Sequence, residues 1–175
     1  MNDTPFEIER KFLIRMPDIS WLSAMAECSQ ISQTYLVNDI AGTSERVRCR
    51  RSKNGVVYTH TKKTRITAIR RIEIEHEISR EEYEQLLLRA DPARRTIEKT
   101  RYCLRRNGLL YEIDVFPFWP DRAFLEVELT HEDQPLIWPE GVTCIREVTD
   151  DGRYTNSALA RSIPWDDIEE FEKEE

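Results

Sequence analysis

The sequence has little of what would divide it into parts or place it in a membrane. Its 5 glycines and 8 prolines are scattered among 175 residues, so they do not mark a long linker. The segment MNDTPFEIER lacks the apolar stretch of a secretory signal, and no run of about 18 apolar residues is present to span a bilayer. We therefore predict a single domain over residues 1–175, located in the cytoplasm and without a membrane partner.

Cysteine and net positive charge are also scarce. The four cysteines, at positions 28, 49, 103 and 144, form no CxxC pair and no zinc-ligand spacing with histidine, so reduced structural thiols are predicted. The formal net charge is −7, whereas proteins that bind nucleic acid or membrane surfaces generally carry an excess of Lys and Arg. No nucleic-acid partner is expected. The positions of the 26 basic residues along the chain are therefore more informative about function than their number.

Most of the chain alternates between polar and apolar residues, the period-2 pattern of β-strands. Asn54-Gly55 and Asn107-Gly108 each separate two alternating runs, and Asn-Gly in that position is a strong hairpin signal. About eight strands are predicted in all. Eight strands are enough to close a barrel and hide the sheet edges.

Helical spacing is confined to short segments. A helix is predicted from Pro17 to roughly Cys28. Another follows the capping-box pattern that begins at Ser79 and runs to about Ala90, and a last helix begins near Asn156. These helices are expected to pack outside the sheet, which gives an α+β fold class.

Charged residues repeatedly share one face of the predicted strands, because residues at i and i+2 point the same way. The charged faces carry Glu7, Glu9 and Lys11; Arg46, Arg48 and Arg50; Lys62 in the parity of Tyr58 and His60; Arg71, Glu73, Glu75 and Glu77; Lys99 and Arg101; Glu112 and Asp114; and Glu126 and Glu128. A solvated antiparallel sheet is the ordinary explanation of such alternation. However, most of these strands are mainly acidic or mainly basic, which favours a polyanion on the basic strands and a hard divalent cation on the acidic ones.

The motifs resemble those of a known family. Residues 7–11, EIERK, match the ExExK opening strand of the CYTH superfamily, also called triphosphate tunnel metalloenzymes. Further blocks follow in family order: VRCR at 47–50, the Lys62 strand, RIEIE at 71–75, IEKTRY at 97–102, YEIDVF at 111–116, LEVEL at 125–129 and a closing segment at 146–160. The resemblance implies a closed, eight-stranded antiparallel barrel whose charged interior is the active-site tunnel.

The resemblance also implies site residues. The implied metal ligands, for Mg²⁺ or Mn²⁺, are Glu7, Glu9, Asp114, Glu126, Glu128 and Glu112, with Glu73 and Glu75 on the opposite side of the site for a second ion. The implied triphosphate-binding residues are Lys11, Arg48, Arg50, Lys62, Lys99 and Arg101, with Arg71 and Arg153 as further candidates. Glu9, Lys11 and Tyr35 are the implied catalytic residues, and Tyr35 is expected to contact Lys11.

The implied reaction is metal-dependent hydrolysis of inorganic tripolyphosphate to pyrophosphate and phosphate. The opening EIERKFL is similar to that of small bacterial tripolyphosphatases. Hydrolysis of thiamine triphosphate or a nucleoside triphosphate, class IV adenylyl cyclase activity and non-catalytic polyphosphate binding remain alternatives at this point. The sequence leaves open the number of metal ions, the phosphate attacked, and whether the chain is a monomer or a homodimer.

Overall fold

The computed structural model describes residues 6–165, in which one antiparallel β-sheet closes on itself. Its strands are β1 (Phe6–Arg15), β2 (Glu27–Tyr35), β3 (Thr43–Ser52), β4 (Gly55–Arg65), β5 (Arg70–Ile78), β6 (Ile97–Arg106), β7 (Leu109–Val115), β8 (Arg122–Leu129) and β9 (Cys144–Glu147). The order is β5-β4-β3-β2-β6-β7-β8-β1, and β1 also pairs with β5. This last pairing closes a ring of eight strands, which confirms the predicted barrel.

The strand β9 lies outside the ring and pairs with the second half of β1. The first half of β1 pairs with β5, with Glu7 opposite Arg71, while β8 pairs along nearly its whole length. A single long strand therefore joins the two ends of the sheet. The predicted single domain spans residues 1–175, of which 1–5 and 166–175 lie outside the described residues.

Both predicted hairpins are present. Gly55 begins β4 with a φ of 111°, and Asn107 and Gly108 have φ values of 54° and 74° in the turn between β6 and β7. Positive φ at both central residues is what a two-residue type I′ turn requires, and Asn and Gly tolerate it better than other residues.

The first two helices are shorter than predicted, and the third begins at Asn156, as predicted. They are α1 (Ile19–Met25), α2 (Arg80–Leu87) and α3 (Asn156–Leu159), and a 3₁₀ turn spans Gly152–Tyr154. The Asp18 carboxylate caps α1, and the predicted capping box at Ser79 is formed at α2. The helix predicted to reach Cys28 ends at Met25, because residues 27 and 28 already pair with β6. Among residues 6–165, no helix is long and apolar enough to cross a membrane.

Two hydrophobic clusters support the barrel. The first covers the outside of β1, β6, β7 and β8 and includes Leu22 of α1. The second includes Leu13 and Phe124, which follow the same strand faces as Lys11 and Glu126, together with Tyr154 and Leu159 of the closing segment. The charged inner face therefore gives way to a packed apolar interior at one end of the barrel.

Candidate active site

The barrel encloses a cavity of about 470 Å³ whose lining is dominated by charged side chains. The lining carboxylates are Glu7, Glu9, Glu73, Glu75, Glu112, Glu126 and Glu128, and the lining cations include Lys11, Arg46, Arg48, Arg50, Lys63, Arg65, Arg71 and Arg101. Residues 148, 149 and 154–157 of the closing segment complete one wall. The strands predicted to carry charge thus turn it inward, where it surrounds a common space.

The two signs of charge occupy opposite arcs of the barrel. The carboxylates lie on the consecutive strands β5, β1, β8 and β7, whereas β6, β3 and β4 carry most of the cations. Within the acidic arc, Glu9 is directly opposite Glu128 and Glu112 is directly opposite Glu126. Like charges at directly opposite positions destabilise a sheet, so this arrangement requires positive charge close to the carboxylates.

The acidic arc has the donor chemistry of a hard divalent cation. Burial raises the pKa of Glu112, and the charges of Glu126, Asp114 and Glu9 raise it further against the opposing effect of Arg101. Burial, followed by the charge of Glu73, raises the pKa of Glu7 to about 7. Burial therefore disfavours the charged form of both carboxylates, although Arg71 contacts Glu7 and Arg101 contacts Glu112. Clustered carboxylate oxygens are the ligands that Mg²⁺ and Mn²⁺ prefer, so the residues fit such an ion.

These carboxylates do not form a ready-made cage. Within residues 6–165, no three Asp, Glu, His or Cys side chains converge in a geometry that would hold a metal ion. Most of the predicted ligands are instead engaged by internal cations; among them, Arg71 binds Glu9, and the Lys11 ammonium lies 3.3 Å from a Glu126 oxygen. Metal binding at this site would therefore require these side chains to rearrange.

Asp114 does not line the cavity, although it was predicted to bind metal. It is 1% exposed, and its two oxygens accept hydrogen bonds from Lys99 at 2.6 Å and from Arg101 at 2.8 and 2.9 Å. These bonds and charges hold the pKa of Asp114 well below its usual range despite its burial. The face of a strand does not show how deeply a side chain is covered, so the sequence did not predict the burial of Asp114, and its role as a metal ligand stays a prediction. Asp114 is placed as the counter-ion of two buried cations.

The same finding changes the expectation for Lys99, which was predicted to bind substrate. Lys99 is buried, does not line the cavity and directs its ammonium to Asp114. Burial lowers the pKa of Lys99. Arg101 does line the cavity and also reaches Glu112 at 2.5 Å, so it connects Asp114 to the acidic arc.

The basic arc contains guanidinium nitrogens without protein partners. The buried Nε atoms of Arg46 and Arg48 have no hydrogen-bond acceptor in the described part of the chain. Burial, followed by the charges of Arg46 and Arg101, lowers the pKa of Arg48 to about 9. A buried donor left unpaired is unfavourable, and an anion in the cavity would satisfy it. Arg46 was not among the predicted binding residues, although it shares the parity of Arg48 and Arg50.

The predicted position of Lys62 is wrong. Lys62 is exposed, and the register places it opposite Glu45 and Ile74 on the outer face of the barrel. Lys63 lines the cavity instead, with its ammonium 3.1 Å from a Glu73 oxygen. Parity shows which residues of a strand share a face, but it does not show which face turns inward. Lys62 and Lys63 are adjacent, so one of them points to each face of β4. The pairing of β4 with β3 decides between them.

His60, which shares the parity of Lys62, lies on the same outer face and not in the cavity lining. Its ring nitrogen lies 2.8 Å from a Glu45 oxygen, and its ring meets that of His76 edge-on. Arg153 is likewise outside the cavity lining, and its guanidinium binds Asp151. The resemblance placed Arg153 in the site by its motif, but the 3₁₀ turn directs its side chain elsewhere.

Tyr35 and Lys11 both line the cavity, but within the described part of the chain they do not form the predicted contact. The Lys11 ammonium lies 4.0 Å from the centre of the Phe124 ring, beside Glu126. The Tyr35 hydroxyl accepts a hydrogen bond from Gln33 at 3.0 Å. Burial raises the pKa of Tyr35.

Gln33 is a residue that the sequence reasoning missed. Its amide is completely buried between Tyr35 and Arg48, whose Nη2 lies 3.5 Å from the Gln33 oxygen. A neutral residue does not stand out when strands are compared by charge. Its inward parity with Tyr35, together with a polar side chain in a buried strand, was the available signal.

Comparisons with known proteins agree on the family of the chain. The CYTH domain model matches residues 5–137. The inorganic triphosphatase of Nitrosomonas europaea is 35% identical over 168 residues, which cover 90% of this chain and 99% of that protein. The inorganic triphosphatase of Acetivibrio thermocellus is 32% identical over 167 residues, which cover 94% of this chain and 98% of that protein. The crystal structure of an inorganic triphosphatase, 35% identical, superposes with a TM-score of 0.58 over 90% of this chain and 96% of the other.

Proposed function

The chain belongs to the CYTH domain family, and on this premise we propose that it is an enzyme that hydrolyses inorganic tripolyphosphate to pyrophosphate and phosphate with a divalent metal ion. The observation that supports this most directly is the separation of charge in the cavity, where a basic arc faces an acidic arc. A polyanion and a cation together match both arcs. Either ligand alone would match only one arc.

The cavity lining favours an inorganic triphosphate over a nucleotide. Its two aromatic residues, Tyr35 and Tyr154, are 3% and 0% exposed, so neither offers a free ring face. Nucleobases are commonly held by stacking on exposed aromatic rings, and the cavity lacks such a surface among the described residues. The abundance of Arg instead suits phosphate oxygens, which guanidinium groups can bind in pairs.

The basic arc would bind and orient the phosphate chain. We assign this role to Arg48, Arg50, Lys63 and Arg101, with Arg46 beside them. Fixed cations around the chain would stabilise the charge that develops on the leaving pyrophosphate, which is the main contribution a protein makes to phosphoryl transfer. No covalent intermediate is needed.

The acidic arc would hold the metal, which we propose to be Mg²⁺ or Mn²⁺. Glu7, Glu9, Glu126 and Glu128 are the assigned ligands, with Glu112 beside them and Glu73 and Glu75 on β5, the strand that pairs with β1. When bound, such an ion neutralises phosphate charge and makes water a better nucleophile. Glu9 would accept a proton from the attacking water at a carboxylate oxygen, while Lys11 and Tyr35 would orient the reacting phosphate.

The location proposed for this enzyme is the cytoplasm. All four cysteines, which lie within residues 6–165, are free thiols. Free thiols suit a reducing compartment.

Phosphate release tests this proposal. Tripolyphosphate, pyrophosphate, ATP and thiamine triphosphate would each be supplied with Mg²⁺, Mn²⁺ or a chelator, and cyclic AMP would be measured with ATP. We expect metal-dependent release with tripolyphosphate as the preferred substrate. Formation of cyclic AMP would establish a cyclase, and binding of tripolyphosphate without turnover under any condition would establish a binding module.

A matched pair of variants connects the activity to the cavity. Glu9→Gln removes an assigned metal ligand without changing side-chain size, and we expect turnover to fall by at least about a hundredfold, as for loss of a group that acts in the transition state. Glu98→Gln makes the same change at an exposed position where the carboxylate binds Ser32. It should retain the original rate. Equal rates in the two variants would contradict the assigned site.

A further inference from the structure

Arg71 is bound to the carboxylates that are assigned to the metal. Its Nη1 lies 2.8 Å from one Glu9 oxygen and its Nη2 lies 2.5 Å from the other. The same Nη2 is 3.3 Å from Glu7, and Nε is 3.3 Å from Glu73. The guanidinium therefore engages both oxygens of Glu9 and touches two further members of the acidic arc.

This arrangement is strong for an ion pair in a partly open cavity. The side chains of Arg71 and Glu9 are 22% and 17% exposed, so water screens them incompletely. Burial alone would lower the pKa of Arg71, but the hydrogen bonds and charge of Glu9 raise it above its ordinary value. Bidentate pairing of Arg with a carboxylate is also among the stronger charge-assisted contacts.

The contact excludes a metal ion from the same oxygens. Magnesium ligands lie about 2.0–2.1 Å from the ion, so an ion held by Glu9 would occupy the space beside its oxygens that the guanidinium now fills. The two cations would also repel each other at that separation. Glu9 can therefore serve one of them at a time.

We infer that Arg71 is a built-in competitor of the divalent cation: it occupies Glu9 and Glu7 in the metal-free chain and leaves them when the ion binds. This inference rests on the proposed function, because it concerns the same acidic arc. Arg71 then becomes a positioning residue whose departure controls access to the metal ligands.

The released guanidinium has a second use. Arg71 lies opposite Arg65, and its neighbour on the inner face of β5, Glu73, lies opposite Lys63, so Arg71 borders the basic side of the cavity. A phosphate chain bound there would attract the guanidinium away from Glu9, and an ion bound at Glu9 would release the guanidinium to the phosphates. Metal and triphosphate would thus strengthen each other's binding through Arg71, and by linkage the effect is equal in both directions.

Binding of Mn²⁺ alone tests the competition without any turnover. Free Mn²⁺ would be measured by electron paramagnetic resonance during titration of the unsubstituted chain, Arg71→Gln and Arg65→Gln. The control removes the same charge from the same cavity, but Arg65 donates to the carbonyls of residues 67, 68 and 149 and contacts no carboxylate among residues 6–165. We expect Arg71→Gln to bind Mn²⁺ about tenfold more tightly than the unsubstituted chain, and Arg65→Gln less than about threefold more tightly.

Three outcomes would overturn the inference. One is an unchanged Mn²⁺ affinity in Arg71→Gln, and another is an equal gain in Arg65→Gln, which would indicate a general charge effect. The third is an absence of Mn²⁺ binding by the unsubstituted chain, which would also overturn the metal site of the proposed function. In the first two outcomes, that metal site stands.

A second variant covers the possibility that Arg71→Gln does not fold. Arg71→Lys keeps the positive charge but cannot contact both Glu9 oxygens through a planar fork. We expect it to bind Mn²⁺ about threefold more tightly than the unsubstituted chain, and to reduce the mutual strengthening of Mn²⁺ and tripolyphosphate binding. If both quantities stay the same in a folded Arg71→Lys protein, the inference is wrong.

Discussion

Replacement of either member of the Lys62-Lys63 doublet by Ala should give opposite results, although the two residues are adjacent. Lys63 lines the cavity and contacts Glu73, whereas Lys62 is exposed on the outer face. A hydrogen bond to a charged group contributes about 1.5–3 kcal/mol, and each 1.4 kcal/mol is a factor of about ten. Lys63→Ala should therefore lower kcat/KM for tripolyphosphate about ten- to a hundredfold, and Lys62→Ala less than about twofold.

The pH dependence sharpens this prediction. Burial, with the charges of Arg46 and Arg71, lowers the pKa of Lys63 to about 8. The amine is therefore charged below about pH 8 and becomes neutral above it. The loss of kcat/KM caused by Lys63→Ala should thus become smaller as the pH rises through 8. Lys63→Arg should keep its charge in the alkaline range.

Both the contrast between the two lysines and its pH dependence can be tested by initial rates of phosphate release. These rates would be measured from about pH 6 to about pH 10 over a range of tripolyphosphate concentrations. The reasoning would be refuted if Lys62→Ala lost as much activity as Lys63→Ala, because the inner face of β4 would then be the wrong one. A fold loss in kcat/KM for Lys63→Ala that stays constant over the pH range would refute the assigned charge of Lys63.

Three further outcomes follow from the cavity. Asp114→Asn removes the counter-ion of two buried cations, so chemical denaturation should show a loss of about 3–5 kcal/mol in the free energy of unfolding, and a loss below about 1 kcal/mol would contradict its buried role. Without metal, the free energy of unfolding should fall as the pH rises from about 4.5 to about 7, because folded Glu7 keeps a proton that the unfolded chain has lost; Glu7→Gln should flatten this slope. Gln33→Leu removes the hydrogen bond to Tyr35 and should raise the KM for tripolyphosphate several-fold, and an unchanged KM in a folded variant would exclude a positioning role.

The fold was largely accessible from the sequence because its determinants are local. The Asn107-Gly108 turn, the capping box at Ser79 and the alternation along each strand all specify structure within about ten residues. Closure of the barrel is different. It depends on Phe6–Ile8 pairing with β5 about 60 positions further along the chain, which no local pattern encodes. Alternation predicted about eight strands, and the family resemblance predicted that they close into a barrel.

The sequence predicted which charged residue types form the site, but not how deeply each side chain is buried. Alternation located the charged faces, and the cavity gathers most of the predicted carboxylates and arginines. It could not show that Asp114 and Lys99 are buried against each other, because burial depends on the strands that close over them. It also could not identify the inward lysine of the doublet, since that depends on the register between β3 and β4.

The internal ion pairs explain how a barrel with sorted charges can fold without ligands. Carboxylates facing one another on adjacent strands oppose closure of the acidic arc, and burial of unpaired arginines opposes closure of the basic arc. Arg71 and Lys11 place positive charge within the acidic arc, and Asp114 places negative charge behind the basic arc. These three side chains offset the charge that opposes closure of the barrel. Two of them, Arg71 and Lys11, must release their carboxylates before Glu9 and Glu126 can bind the proposed metal.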